Sequence, residues 1–113
     1  MALSITSLTS LHEYLEGVMG RADHHAQNVN QIILTLIGAV IWRSDDFEVF
    51  FRNENTGNIL WFEVNGHRYV VGYNHITENI EIRDRTLQGP VLITLNNSSD
   101  ITLVKVFFER IYL

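Results

Sequence analysis

Two hydrophobic periods divide the chain. Leu11, Leu15, Val18, Ala22, His25, Val29, Ile32, Leu36 and Ala39 recur at steps of four and three, the spacing that holds side chains on one face of a helix. The phase never slips across Gly17, Gly20 and the polar stretch 21–31. The pattern therefore predicts one long N-terminal helix over about 10–43; the alternative is two nearly collinear helices, kinked near Gly20, with Asp23 capping the second. Ser10 and Glu13 stand at the spacing of a capping box, which sets the expected start. From Ile32 to Trp42 almost every position is apolar, so that part of the helix needs cover on several sides.

From Phe47 the period falls to two. Phe47, Val49 and Phe51 alternate with Glu48, Phe50 and Arg52 as a first strand, and residues 53–57 form a turn. Residues 58–64 make a second strand. Asn65-Gly66 then calls for a type I′ hairpin turn. That two-residue loop fixes the pairing with the returning strand 67–73: Val64 opposite His67, Phe62 opposite Tyr69 and Leu60 opposite Val71 on one face. Glu63–Arg68, Trp61–Val70 and Ile59–Gly72 pair on the other. Both faces carry large apolar groups, so the second face also calls for cover: the C-terminal helix, a ligand or a second subunit. Residues 80–84 and 91–95 supply two further strands, with Gln88-Gly89-Pro90 between them. A helix over about 99–112, capped by Ser99 or Asp100, closes the chain. The expected fold is α+β in a single domain, 1–113, with a long helix packed on a five-stranded antiparallel meander (about 47–95) and a C-terminal helix.

Composition narrows the function classes. There is no cysteine in the 113 residues, which removes disulfide scaffolds, thiol enzymes and Cys-type zinc sites. The net charge is −5, and the bases are scattered, which argues against a nucleic-acid partner. The amino terminus lacks the basic start and apolar core of a signal peptide. The longest apolar run, 32–42, falls well short of the roughly 20 residues that span a bilayer. The expectation is a cytoplasmic protein with no membrane partner. Seven of the eight bases are arginine, and Arg43, Arg52, Arg68, Arg83 and Arg85 lie within 42–85 beside eight of the aromatics. Arginine beside aromatic rings is typical of interfaces and carboxylate sites.

The candidate site residues are His24, His25, Trp61, Tyr73, His75, Arg83 and Gln88. Asp23-His24-His25 is the densest reactive group. Neighbouring histidines on a helix diverge by about 100°, so they do not form a metal site by themselves, and no metal or cofactor is expected. The simpler reading of His25 is a core histidine bonded to the sheet. For Tyr73-Asn74-His75 the simpler reading is turn chemistry, and for Arg83-Asp84-Arg85 it is local ion pairing. Trp61 reads first as buried area, with an indole N–H able to line a pocket. His12-Glu13 lacks the second histidine of a zincin helix, and no spacing selects a catalytic triad.

Several stretches, in order, resemble the small proteins encoded in integron gene cassettes. They are Ala22-Asp23-His24-His25-Ala26 with Asn28-Val29, Gly38 with Ile41-Trp42-Arg43, and Ile59-Leu60-Trp61. Asn65-Gly66-His67-Arg68-Tyr69, Tyr73-Asn74-His75, Ile80-Glu81-Ile82-Arg83 and Gln88-Gly89-Pro90-Val91-Leu92 follow. The resemblance implies an α+β fold, a tendency to homo-oligomerise and no assigned catalytic residues. The functional expectation is a non-enzymatic homodimer that binds a small molecule. A protein–protein module, antitoxin-like or regulatory, is the alternative, and an enzyme using His24, His25 or His75 as a base is the third reading.

Overall fold

Alternation and turn chemistry build the sheet as the sequence leads one to expect, while the helical half departs from it. A computed structural model describes the backbone at residues 2–4, 8–25, 27–52 and 55–112; side chains are not described at 2–4, 8, 10, 11, 14, 21, 22, 24, 25, 49–52, 55–58 and 112. The element order is β1 (Ala2–Ser4), α1 (Leu8–His25), a single 3₁₀ turn (Gln27–Val29), α2 (Ile32–Arg43), β2 (Asp46–Arg52), β3 (Asn55–Val64), β4 (His67–Asn74), β5 (Asn79–Asp84), β6 (Val91–Leu95) and α3 (Ile101–Tyr112).

The sheet is an antiparallel meander in the order β1-β2-β3-β4-β5-β6. The five expected strands are all present, and Ala2–Ser4 adds a sixth beside β2. Three residues are too few to show alternation, so this strand left no pattern to read. Asn65 and Gly66 both take positive φ, 51° and 82°, as a type I′ turn demands. The pairing follows from it: Leu60 opposite Val71, Phe62 opposite Tyr69 and Val64 opposite His67.

The single long helix over 10–43 does not form; it is two helices, with the described residues 27–31 between them outside either, and the break is not at Gly20. The cause lies far away in sequence. The Asn97 side chain accepts hydrogen bonds from the Gln31 and Ile32 backbone N–H groups (2.9 and 3.1 Å) and donates to the Gln27 carbonyl (2.9 Å) and Asn30 Oδ1 (2.8 Å). The Asn97 N–H donates to the Asn28 carbonyl at 2.7 Å. One carboxamide thus satisfies amide groups that a helix start leaves without intrahelical partners. Asp23 caps no helix; it lies inside α1, where its carbonyl and carboxylate accept from Gln27 and Asn30. The hydrophobic phase survives because the 3₁₀ turn delivers Val29 and Ile32 to the same interior, both almost fully buried. Helix α1 also starts at Leu8, so Ser10 falls inside its first turn and is not the N-cap.

All three helices pack on one side. Val18 of α1, Ile32, Leu36, Ile37, Ala39 and Val40 of α2, and Val104 and Phe108 of α3 form one core with Leu60, Phe62, Val64, Tyr69, Val71, Ile80, Ile82 and Leu95. These strand residues share one face, the face set by the Asn65-Gly66 register. Phe62 stacks between Tyr69 and Phe108, with ring centroids 5.1 and 5.3 Å away. Helix α3 is not the cover of the second face that the sequence offers as one choice, because it joins the other helices. Its first turn is capped by Asp100, whose carboxylate accepts the Thr102 N–H at 2.9 Å. That bond, with a second to the Thr102 side chain, holds the Asp100 carboxyl below the usual carboxylate range.

Candidate functional site

The second sheet face carries two of the candidate residues in one row. The register places Trp61 of β3 opposite Val70 of β4, and Val70 opposite Arg83 of β5. Val70 has no exposed surface although it stands apart from the core cluster. The Arg68 guanidinium lies 4.1 Å from the centre of the Trp61 ring and 3.9 Å from Glu48. The Arg83 fork donates to Glu81 and to the Gly89 carbonyl, both at 2.9 Å. An arginine laid over an indole, with its charge paired at the rim, covers part of a sheet face.

This arrangement bears on the expected carboxylate site. Arg83 pairs with Glu81, whose other carboxylate oxygen accepts from Asn74 at 3.3 Å. Its fork is committed within the chain. Gln88 is exposed in the adjoining loop. That loop is tight: Asp84 N–H bonds Pro90, Gly89 N–H bonds Thr86, and a Cβ on Gly89 would stand 2.0 Å from the Asp84 carbonyl oxygen. No side chain fits there, so glycine is required. Beside Trp61, Asp46, Glu48, Glu63 and Arg68 rim an open depression of about 30 Å³, room for a water or two. Of the seven candidate residues only Trp61 lines it.

The other candidates are elsewhere. Tyr73 is on the core face at the end of β4, and its ring meets His75 edge-on at 4.8 Å. Partial burial and then the Glu78 charge raise the Tyr73 hydroxyl above its ordinary range. His75 is exposed in the β4–β5 turn, where Asn74 Oδ1 accepts the Ile76 and Thr77 N–H groups at 2.9 and 3.2 Å. His24 and His25 lie in the last turn of α1, and their side chains are outside the described residues. Of the five whose side chains are described, Trp61 and Arg83 share the outer row, Tyr73 and His75 sit at the end of a hairpin, and Gln88 lies in the loop after β5.

A histidine outside that set has the partner that acid–base chemistry needs. His67 Nε2 is hydrogen-bonded to Asp84 Oδ1, and both side chains are about one-third exposed. The His67 ring also tilts against Tyr69 at 4.7 Å. Burial first, and the Asp84 charge second, raise the Tyr69 hydroxyl. The pair joins residues 17 apart, so no local motif marks it. The register alone marks it: Val64 opposite His67 and Tyr69 opposite Asp84 put all three residues on one face. Among the described residues no three His, Asp or Glu side chains gather as a metal site.

Among the described residues, exposed large apolar groups lie on α2, α3 and β6 and in the loops, where Ile76 is 94% exposed. Leu34, Ile41 and Trp42 of α2 keep 53, 50 and 50% of their surface in solvent. On a helical wheel they span about 100° together with Gly38, opposite the buried Leu36 and Val40. Arg43 lies over the Trp42 ring at 3.7 Å. Val91 and Leu92 on the edge strand, and Ile101 and Leu103 on α3, are also open. Among the described residues, no helix is long and apolar enough to cross a membrane.

No curated protein matches the chain. A family model described as "Integron cassette protein VCH_CASS1 chain" matches residues 11–105, from the first turns of α1 into α3. That span takes in both helices of the broken pair, the sheet from β2 to β6 and the residues of both sheet faces, so the chain belongs to the integron cassette protein family described by that model.

Proposed function

We propose that the protein is a non-enzymatic module that assembles with copies of itself, which keeps the expected homodimer and leaves out its small-molecule ligand. The observation that carries this reading is the outward face of α2, where Leu34, Ile41 and Trp42 are each half exposed on the side away from the core. Burying such groups against a partner is favourable by roughly 25 cal/mol per Å² of apolar surface. A contiguous apolar surface on a soluble domain is characteristic of a protein contact. At Trp61 a small-molecule site draws less support, because the depression beside it offers about 30 Å³ and is rimmed by three carboxylates. Ligand pockets are typically ten or more times larger.

Sedimentation velocity over a concentration series spanning several decades tests the reading. A two-chain or larger species that grows with concentration is expected. A single-chain mass throughout would overturn it.

A second reading, an acid–base site, is favoured by one observation, the hydrogen bond between His67 and Asp84. An acidic partner on one ring nitrogen orients the imidazole and leaves the other nitrogen for a substrate proton. The imidazole ¹⁵N shifts of His67, which report its tautomer, test the pairing in wild type and in Asp84→Asn: one fixed tautomer in wild type and a mixture in the variant is expected, and the same tautomer mixture in both would remove this reading.

A further inference from the structure

We propose that Asn65-Gly66 is a site of spontaneous covalent modification guarded by the fold: the Asn65 side chain closes onto the main chain only when the β3–β4 turn opens, and the isoaspartate that results cannot close the turn again.

The sequence holds one Asn-Gly step, and it is this turn. The Gly66 nitrogen carries no neighbouring side chain to shield it, and it lies within reach of a five-membered ring with Asn65 Cγ. Attack of that nitrogen on Cγ forms an N–C bond. The amide proton passes to water, and the side-chain nitrogen leaves as ammonia with the electrons of its C–N bond. Water then opens the cyclic imide. Opening at the side-chain carbonyl gives aspartate; opening at the main-chain carbonyl gives isoaspartate, whose backbone runs through Cγ and is one carbon longer. Both residues are exposed, and a Cβ built on Gly66 would meet nothing within 4 Å, so neither ring nor water lacks room.

The backbone is what holds the reaction back. Asn65 has φ 51°, the left-handed region, in which ψ is also positive, at about +47°. About the Cα–C bond that ψ sets the Gly66 nitrogen nearly opposite Cβ, whereas the ring needs the two nearly eclipsed. In the folded turn the reacting atoms therefore point apart, and Asn65 ψ must swing by roughly half a turn to bring them together. The surroundings resist that swing. Val64 is paired with His67 and Glu63 with Arg68. The Asn65 N–H donates to Asp45 Oδ2 at 2.7 Å, and His67, the first residue past the turn, is hydrogen-bonded to Asp84. Strand pairing and these two side-chain bonds fix the turn at its entry and its exit, so the reaction runs through locally opened states.

The two products differ in what they do to the sheet. Asp-Gly forms the same type I′ turn as Asn-Gly, so the aspartate product keeps the hairpin. Isoaspartate puts an extra carbon into a two-residue loop whose length sets the register of β3 and β4. Those strands carry Leu60, Phe62, Val64, Tyr69 and Val71 into the core, so the damage reaches the centre of the molecule.

Peptide mapping by mass spectrometry tests the guard. The whole chain is incubated at mildly alkaline pH, folded or in strong urea, and conversion at Asn65 is followed. The reaction is expected to be at least about tenfold slower in the folded chain, and to quicken with urea added below the unfolding transition. Equal rates in the folded and the unfolded chain would overturn the proposal. Thermal unfolding tests the consequence. Asn65→Asp is expected to melt close to wild type, and the isoaspartate chain, separated by chromatography, clearly lower. An isoaspartate chain that melts with wild type would show that the turn tolerates the longer backbone and would overturn that part.

Discussion

The two faces of one sheet are closed in different ways. On one, alternate residues from β3 to β6 meet three helices and form a dry core around Phe62, Ile82, Leu95 and Phe108. On the other, Arg68 lies over the Trp61 ring and pairs with Glu48, while Arg83 pairs with Glu81. Large apolar residues on both faces of a strand do not by themselves call for two packed layers. Where arginine neighbours tryptophan in the register, the sheet supplies much of its own cover. Among the described residues, part of the apolar surface left open lies on the outside of α2, one layer away from the sheet.

That contrast can be broken in graded steps. Phe108→Ala removes a fully buried ring stacked on Phe62. Chemical denaturation is expected to show a loss of about 3–5 kcal/mol, and a loss under 1 would mean that the helical layer is loosely packed. Asn97→Ala removes the carboxamide that joins the 96–98 loop to the start of α2. About 2–3 kcal/mol is expected to go, since several amide groups lose partners at once. Hydrogen exchange should quicken first at residues 27–32. On the outer face, Arg68→Ala is expected to cost at most about 1 kcal/mol, as befits an exposed cation–π contact. A cost equal to that of Phe108→Ala would erase the distinction between the faces.

The smallest effect is confined to alkaline pH. Tyr69 has its hydroxyl pKa raised above the unfolded value of 10.0. Its contribution to stability is therefore fully present below pH 10 and is lost as pH rises through the folded-state value. Wild type is expected to lose stability in that window faster than Tyr69→Phe. Parallel pH profiles for the two proteins would contradict the assignment.

Much of the sheet was legible because its rules are local. Asn65-Gly66 set the register of β3 and β4, and period two set which side chains point inward; both follow from neighbours in sequence. The helix break was not legible. The steps from His25 to Val29 and on to Ile32 keep helical spacing, yet the backbone between them is a 3₁₀ turn stitched to Asn97, 65 residues from Ile32. No periodicity reports a cap that arrives from the other end of the chain. The candidate site fared similarly. Trp61 and Arg83 were marked as residue types, and the structure places them in one row, but Arg83 spends its fork on Glu81 and Gly89. His67 and Asp84 escaped notice as a pair because strand pairing, not spacing, joins them.

The chain's two tryptophans report on the two surfaces, Trp42 on α2 and Trp61 on the outer sheet face. The most direct test labels both with 5-fluorotryptophan and follows their ¹⁹F resonances as concentration rises through the association range, with Trp42→Phe and Trp61→Phe used for assignment. The Trp42 resonance is expected to move and the Trp61 resonance to stay fixed. Movement of Trp61 with Trp42 unchanged would place the interface on the sheet and contradict the account.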